Sequence, residues 1–327
     1  MKKIFALLLT VLMVVALTAC NTNPADNSDD GKFVIGVVQL APHPALDAAT
    51  QGFIDKVKAE LGEENVEVKV QIAAGDTATC APIVSAFVSE GVDLIMANAT
   101  PALQAAVAAT TDIPILGTSV TEYGVALDIK DFNGTVGGNV SGTSDLAPLD
   151  KQAEMIKVWF PEAKNVGLIY CSAEANSQYQ VDEVQKYLET LGFTCKQYPF
   201  ADSNEMQSVA QKAASESDVI YVPTDNTVAN ATGIIDGICR PAKIPVIAGE
   251  EGICSGCGVA TLSISYYDLG VTTGEMAVKI LKGEEDISTM AVQYVAAEKI
   301  TAKYNKEICD ELGLTPPEGY VAIEKAD

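Results

Sequence analysis

The sequence contains one histidine, His43, and one tryptophan among 327 residues. Acid–base chemistry near neutral pH leans on histidine, so a single copy leaves little scope for it. Catalytic signatures are missing as well: there is no G-x-S-x-G, no G-x-G-x-x-G after a strand pattern, no Walker loop and no H-E-x-x-H. The chain therefore reads as a non-enzyme without a cofactor. Basic residues are scarce, 21 Lys and Arg against 44 Asp and Glu, for a net charge of −23. So acidic a surface repels phosphate backbones and anionic headgroups, which argues against nucleic acid as a partner. Only one C-x-x-C pair occurs, Cys254 and Cys257, and His43 is far from it in sequence. Zinc needs about four ligands, so no metal site is expected.

The N-terminal apolar run falls short of the ~20 residues of a membrane span. Lys2 and Lys3 precede it, Ile4 to Val15 is almost wholly apolar, and Leu17-Thr18-Ala19-Cys20 has the lipobox pattern of a lipoprotein signal. Residues 1–20 then form a cleaved signal with Cys20 lipidated, and 21–31 (Asn21 to Gly31) a polar tether. The expected location is extracytoplasmic, held to the membrane by lipid alone. Of the eight cysteines, seven follow Cys20; an odd number leaves at least one free thiol or an intermolecular bridge. Cys171 and Cys195 fall at opposite ends of neighbouring strands, roughly 15 Å apart at ~3.3 Å per residue, too far to bridge. A loop disulfide of the Cys254/Cys257 pair with Cys239, or free thiols, both remain open.

What the chain does have is a repeat. Gly36-Val37-Val38 returns as Gly167-Leu168-Ile169, Asp93-Leu94-Ile95-Met96 as Asp218-Val219-Ile220-Tyr221, and Ile113-Pro114-Ile115 as Ile244-Pro245-Val246. Strand patterns at Phe33–Gln39, Val66–Ile72, Asp93–Ala97 and Ile113–Gly117 alternate with helical spacing at Pro44–Leu61, Thr79–Glu90 and Pro101–Thr110. The second copy repeats this with helices at Asp150–Trp159, Ser177–Leu191, Asn204–Glu216 and Thr227–Arg240. Its strands are Asn165–Cys171, Phe193–Phe200, Asp218–Val222, Pro245–Gly249 and Val259–Ser265. A helix at Tyr267–Leu281, a strand at Ala291–Val295 and a helix at Ala302–Leu312 complete the chain. The fold class is α/β: two similar lobes, each a parallel sheet flanked by helices, joined by a multi-strand hinge. Gly134–Pro148, Ser263–Asp268 and a point near Met290 read as passages between lobes. The boundaries are then 32–145 plus 266–290 for the first lobe, and 146–265 plus 291–327 for the second.

In parallel sheets ligands collect beyond the carboxyl ends of the strands. Those ends offer Gln39, Asn98, Ala99, Thr100, Ser119, Val120 and Thr121 in the first lobe. In the second they offer Glu174, Asn176, Thr224, Asp225, Asn226 and Glu250, and none of these segments contains Lys or Arg. The helix start after Asn98-Ala99-Thr100 has free N–H groups that suit a carboxylate. Asp225, with Glu250 behind it, suits an ammonium group. Together they describe a site for a zwitterion enclosed between lobes.

Several stretches carry a family resemblance: His43-Pro44-Ala45-Leu46-Asp47, Ala99-Thr100-Pro101-Ala102, Gly138 to Asp145, Glu174-Ala175-Asn176-Ser177 and Tyr266-Tyr267-Asp268-Leu269-Gly270. Through them the chain resembles the ABC-transporter substrate-binding lipoproteins of the tryptophan/tyrosine-binding type. That resemblance implies a type I periplasmic-binding fold, capture of a small solute and its delivery to a permease with its ATPase, and aromatic amino acids as candidate ligands; the chain is expected to be a monomer. Thr121-Glu122-Tyr123 departs from the family's Thr-Asp-Pro, and the Ile253–Gly258 loop is unusual. Alternatives of the same fold are a nucleoside or sugar binder and a ligand sensor; a neighbouring permease and ATPase gene would favour transport.

Overall fold

A computed structural model describes residues 31–324; the expected signal, with Cys20 as the expected lipidation site, and residues 21–30 of the expected tether lie outside the described residues. The first lobe is built from β1 (Phe33–Gln39), α1 (Pro44–Leu61), β2 (Val66–Ile72), α2 (Thr77–Glu90), β3 (Leu94–Asn98), α3 (Thr100–Ala109), β4 (Ile115–Val120), α4 (Tyr123–Ala126) and β5 (Val140–Ser144). The second begins with α5 (Leu149–Trp159), β6 (Asn165–Cys171), α6 (Ala175–Thr190), β7 (Thr194–Phe200), α7 (Ser203–Glu216) and β8 (Val219–Val222). It continues through α8 (Asn226–Ala229), α9 (Thr232–Ala242), β9 (Val246–Ala248), α10 (Glu251–Cys257) and β10 (Ala260–Ser263). The chain returns to the first lobe for α11 (Tyr266–Leu281) and β11 (Gln293–Tyr294), then ends in the second with β12 (Thr301–Tyr304), α12 (Lys306–Leu312) and β13 (Val321–Ala322).

The sheets run β11-β5-β4-β3-β1-β2 and β13-β12-β10-β9-β8-β6-β7. All pairings are parallel except β10 with β12. Both faces of each sheet are covered, which is why the central strands are apolar throughout rather than alternating. Ile35, Val37, Leu94, Met96 and Leu116 pack on one side of the first sheet, and Val38, Ile95, Ala97 and Ile115 on the other. The second sheet is covered in the same way. On the first lobe, α1 and α11 touch backbone to backbone: a Cβ on Gly270 would stand 1.9 Å from the Ala49 carbonyl oxygen, and one on Gly52 2.1 Å from that of Tyr267. This close pairing fixes the two helix starts, His43 and Tyr266, that frame the cleft.

Five expectations need correction. The stretch Gly134–Pro148 holds a buried strand, β5, whose polar sequence hid it. Its hydroxyls are matched internally: Ser141 donates to the Met290 carbonyl at 2.9 Å, and Thr143 meets Thr273 at 2.8 Å. The third passage comes after Tyr294, not near Met290, because β11 still pairs with β5. Ala302–Tyr304, expected at the start of a helix, belongs instead to β12, which pairs with β10, and Asn305 caps the helix that follows. The Thr227–Arg240 helix is broken into α8 and α9, with Ala231 in a non-helical conformation between them. The Ile253–Gly258 segment is mostly helical, in α10; Cys254, Cys257 and Cys239 are buried free thiols, as are the other four described cysteines or nearly so.

Candidate ligand-binding site

The strands β1, β3, β4 and β5 end side by side on the rim of the first sheet. Two non-glycine residues there adopt left-handed backbone, Ala99 at φ 95° and Ser119 at φ 53°. Such geometry costs about 1–3 kcal/mol per residue and concentrates at functional sites. Ala99 turns the chain into α3, which has Pro101 in its first turn and no side-chain cap. The buried hydroxyls of Thr100 and Ser119 have no protein partner. Uncapped N–H groups and two free hydroxyls together suit an anion.

Other first-lobe candidates have supporting roles. Gln39 donates to the Ala41 carbonyl and Asp47 and accepts from Thr50, while Asn98 donates to Thr50 and the Leu46 carbonyl. They tie the ends of β1 and β3 to the start of α1; only Oδ1 of Asn98 is left without a partner. Val120 packs in the apolar core and does not face the cleft. The carbonyl of Thr121 accepts from the Ser144 hydroxyl at 2.8 Å.

In the second lobe the acids cap helices. Asp225 accepts from the backbone of Cys171 at 2.7 Å and of Val228 at 2.9 Å. Glu250 accepts from the N–H of Gly252 at 2.6 Å and from that of Ile253. Glu174 gathers Asn226 and Thr227, and Asn176 donates to it and to the Thr224 carbonyl. Each oxygen of Asp225 and Glu250 thus accepts one hydrogen bond from its own lobe, and both residues, expected to meet an ammonium group, line the void described next.

The sequence reading missed Asp145 as a site residue. It follows β5, and Oδ2 accepts from the Tyr266 hydroxyl at 2.8 Å while its buried Oδ1 has no protein partner. Asp145 lines a void of about 10 Å³ with His43, Tyr266, Thr224, Asp225, Asn226 and Glu250. Burial raises the Asp145 carboxyl, opposed by Tyr266 and Thr121. Burial also pushes Glu250 up to about 7 against its two backbone donors, and raises Asp225, helped by the nearby Glu174. Three carboxyl groups around one void, with no Lys or Arg lining it, make a place for a positive charge. A wider cavity of about 650 Å³ adjoins it, sharing Ala45, Ala229, Glu250 and Tyr266 as walls. The missed residues had a signal: Asp145, His43 and Tyr266 each sit in a stretch that carries the family resemblance. Among the described residues no group of three or more His, Cys, Asp or Glu is placed to hold a metal ion.

Residues 34–325 match the family model described as ABC transporter substrate binding protein. The chain is 38% identical over 294 residues to a tyrosine-binding protein of Clostridioides difficile, covering 86% of this chain and 85% of that one. A solved ABC domain from Streptococcus pneumoniae in complex with L-Trp superposes with a TM-score of 0.84 at 34% identity, over 89% of this chain and all of that one (100%). The ligand-free, open structure of a substrate-binding protein from Clostridium difficile is 39% identical over 90% of this chain and 100% of that one, yet its TM-score is 0.68. The more identical relative superposes less well, and α4 and α6 meet across the cleft here. The lobes of this chain therefore stand closer to the L-Trp-bound arrangement than to the open one.

Proposed function

Because the chain belongs to the family of ABC transporter substrate-binding proteins, we propose that it encloses an aromatic amino acid between its lobes and delivers it to the membrane permease of an ABC importer. The observation that carries this reading is Oδ1 of Asp145, a buried carboxylate oxygen without a protein partner on a void lined by acids. An ammonium group supplies the missing donor and charge. The ligand's carboxylate goes to the start of α3, with the hydroxyls of Thr100 and Ser119. Its ring enters the adjoining cavity, walled by Pro44, Ala45, Ala48, Ile264 and Tyr266. The tyrosine-binding and L-Trp-bound relatives support an aromatic side chain. A neutral sugar or nucleoside brings no ammonium to Asp145, which disfavours the alternative ligands.

Proteins of this family act outside the cytoplasm. In our reading this one works as a monomer without nucleic acid, held to the membrane by lipid on Cys20. Fatty-acid labelling that persists in Cys20→Ala would remove the anchor from the account. For the ligand, a thermal-shift series of amino acids on the mature domain is the test. A ligand at 100 times its Kd stabilises by ~2.7 kcal/mol. Stabilisation by tyrosine or tryptophan is expected, and a sugar that stabilised while no amino acid did would overturn the reading.

A further inference from the structure

One ring nitrogen of the only histidine has a partner and the other has none. Nε2 of His43 lies 3.3 Å from Oδ1 of Asn226, a contact from the first lobe to the second. Which atom carries the hydrogen follows from Glu174. Its carboxylate is met by the N–H groups of Asn226 at 3.1 Å and Thr227 at 2.9 Å, the Thr227 hydroxyl at 2.8 Å and the amides of Asn226 at 2.6 Å and Asn176 at 3.2 Å. A carboxylate so surrounded accepts, so the Asn226 side chain turns its NH₂ to Glu174 and its oxygen to His43. His43 Nε2 must then be the donor. Burial lowers the histidine's pKa below 6.5, against the opposing pull of Asn226, Glu174 and Asp47, so the ring is neutral at neutral pH. In a neutral ring with hydrogen on Nε2, Nδ1 is a bare acceptor. Nδ1 is buried without a partner, and His43 lines the same void as Asp145, whose Oδ1 is also unmatched. Two bare acceptors on one small void call for a donor with more than one hydrogen.

We propose that His43 takes a second hydrogen bond from the ligand's ammonium group on Nδ1 and couples it, through Nε2–H and Asn226, to closure of the two lobes. The proposal rests on the reading of the ligand as an amino acid. A donor on one side of the ring polarises it and strengthens the hydrogen bond on the other side. His43 opens α1 in the first lobe and Asn226 opens α8 in the second, so the strengthened bond spans the cleft.

The single histidine makes the test direct. Isotope-labelled histidine in the mature chain, freed of any histidine tag, gives ring nitrogen signals from His43 alone. Calorimetry with L-tyrosine and L-tryptophan is run on the same protein. Binding is expected to shift the Nδ1 resonance while the hydrogen stays on Nε2, and His43→Leu is expected to weaken binding at least about tenfold, ~1.4 kcal/mol. Measurable binding with Nδ1 unmoved, or with the hydrogen on Nδ1, overturns the role of His43 and leaves the ligand reading standing. If neither these nor any other amino acid binds, both fall.

Discussion

The Tyr266 hydroxyl donates to Oδ2 of Asp145 at 2.8 Å, joining residues 121 positions apart in the chain. Tyr266 begins α11 just after one passage between lobes, and Asp145 follows β5 just before another. The bond turns the carboxylate so that its other oxygen is left for the ligand. Tyr266→Phe removes that restraint while keeping the ring. We expect amino-acid affinity to fall about tenfold, ~1.4 kcal/mol, measured by calorimetry, with a loss of stability of about 1–3 kcal/mol for the unmatched Oδ2; unchanged affinity would mean that the bond does not position Asp145.

Asp225 is a structural residue in this account. Asp225→Ala strips the cap of α8, worth ~0.5–2 kcal/mol, and leaves the Cys171 N–H buried without an acceptor, about 1–3 kcal/mol more. Urea unfolding should show a loss of about 2 kcal/mol or more, while the protein that remains folded binds within about tenfold of wild type. Full stability with binding abolished would return Asp225 to the ligand.

Gly270 is where α11 meets α1. Gly270→Ala places a methyl within 1.9 Å of the Ala49 carbonyl oxygen, so the helices must separate. Overpacking of this kind costs about 1–3 kcal/mol. Because His43 and Tyr266 ride on these helices, affinity should fall together with the melting temperature. A variant with wild-type melting and binding would show that the contact is not tight.

Glu250 gives a pH dependence. Its carboxyl rises from 4.5 to about 7 on folding, through burial. The folded chain then holds more proton than the unfolded chain between those values, so this contribution to stability is present below about pH 4.5 and is lost as pH rises through about 7. His43, with its lowered pKa, acts in the opposite direction below 6.5. Comparison with Glu250→Gln isolates the carboxyl: the stability of wild type relative to the variant should decline from pH 5 to about pH 8. A constant difference across that range would contradict the assignment.

Much of the fold could be read from residue patterns, because short β-branched apolar runs alternate with longer stretches of helical spacing. Phe33–Gln39, Pro44–Leu61 and Asn165–Cys171 appear where the periodicity puts them. β5 escaped because its buried positions are Ser, Thr and Gly, matched by hydroxyl contacts to residues far away in sequence. The site was legible as a rim, not as a set of partners. Strand ends located Thr100, Ser119 and Asp225, but whether an acid is free or caps a helix depends on three-dimensional neighbours. Asp225 and Glu250 proved engaged, and Asp145 lay beyond a strand that had not been recognised.

Calorimetry of L-tryptophan and L-tyrosine on wild type and Asp145→Asn tests the central claim most directly. The substitution keeps the shape and removes the charge that faces the ligand's ammonium. Losing one partner of an enclosed charge pair costs ~2–5 kcal/mol. The account predicts that wild type binds at least one of the two and that Asp145→Asn weakens it by at least about thirtyfold, ~2 kcal/mol, with the fold intact. A folded Asp145→Asn protein that bound the amino acid as tightly as wild type would contradict it.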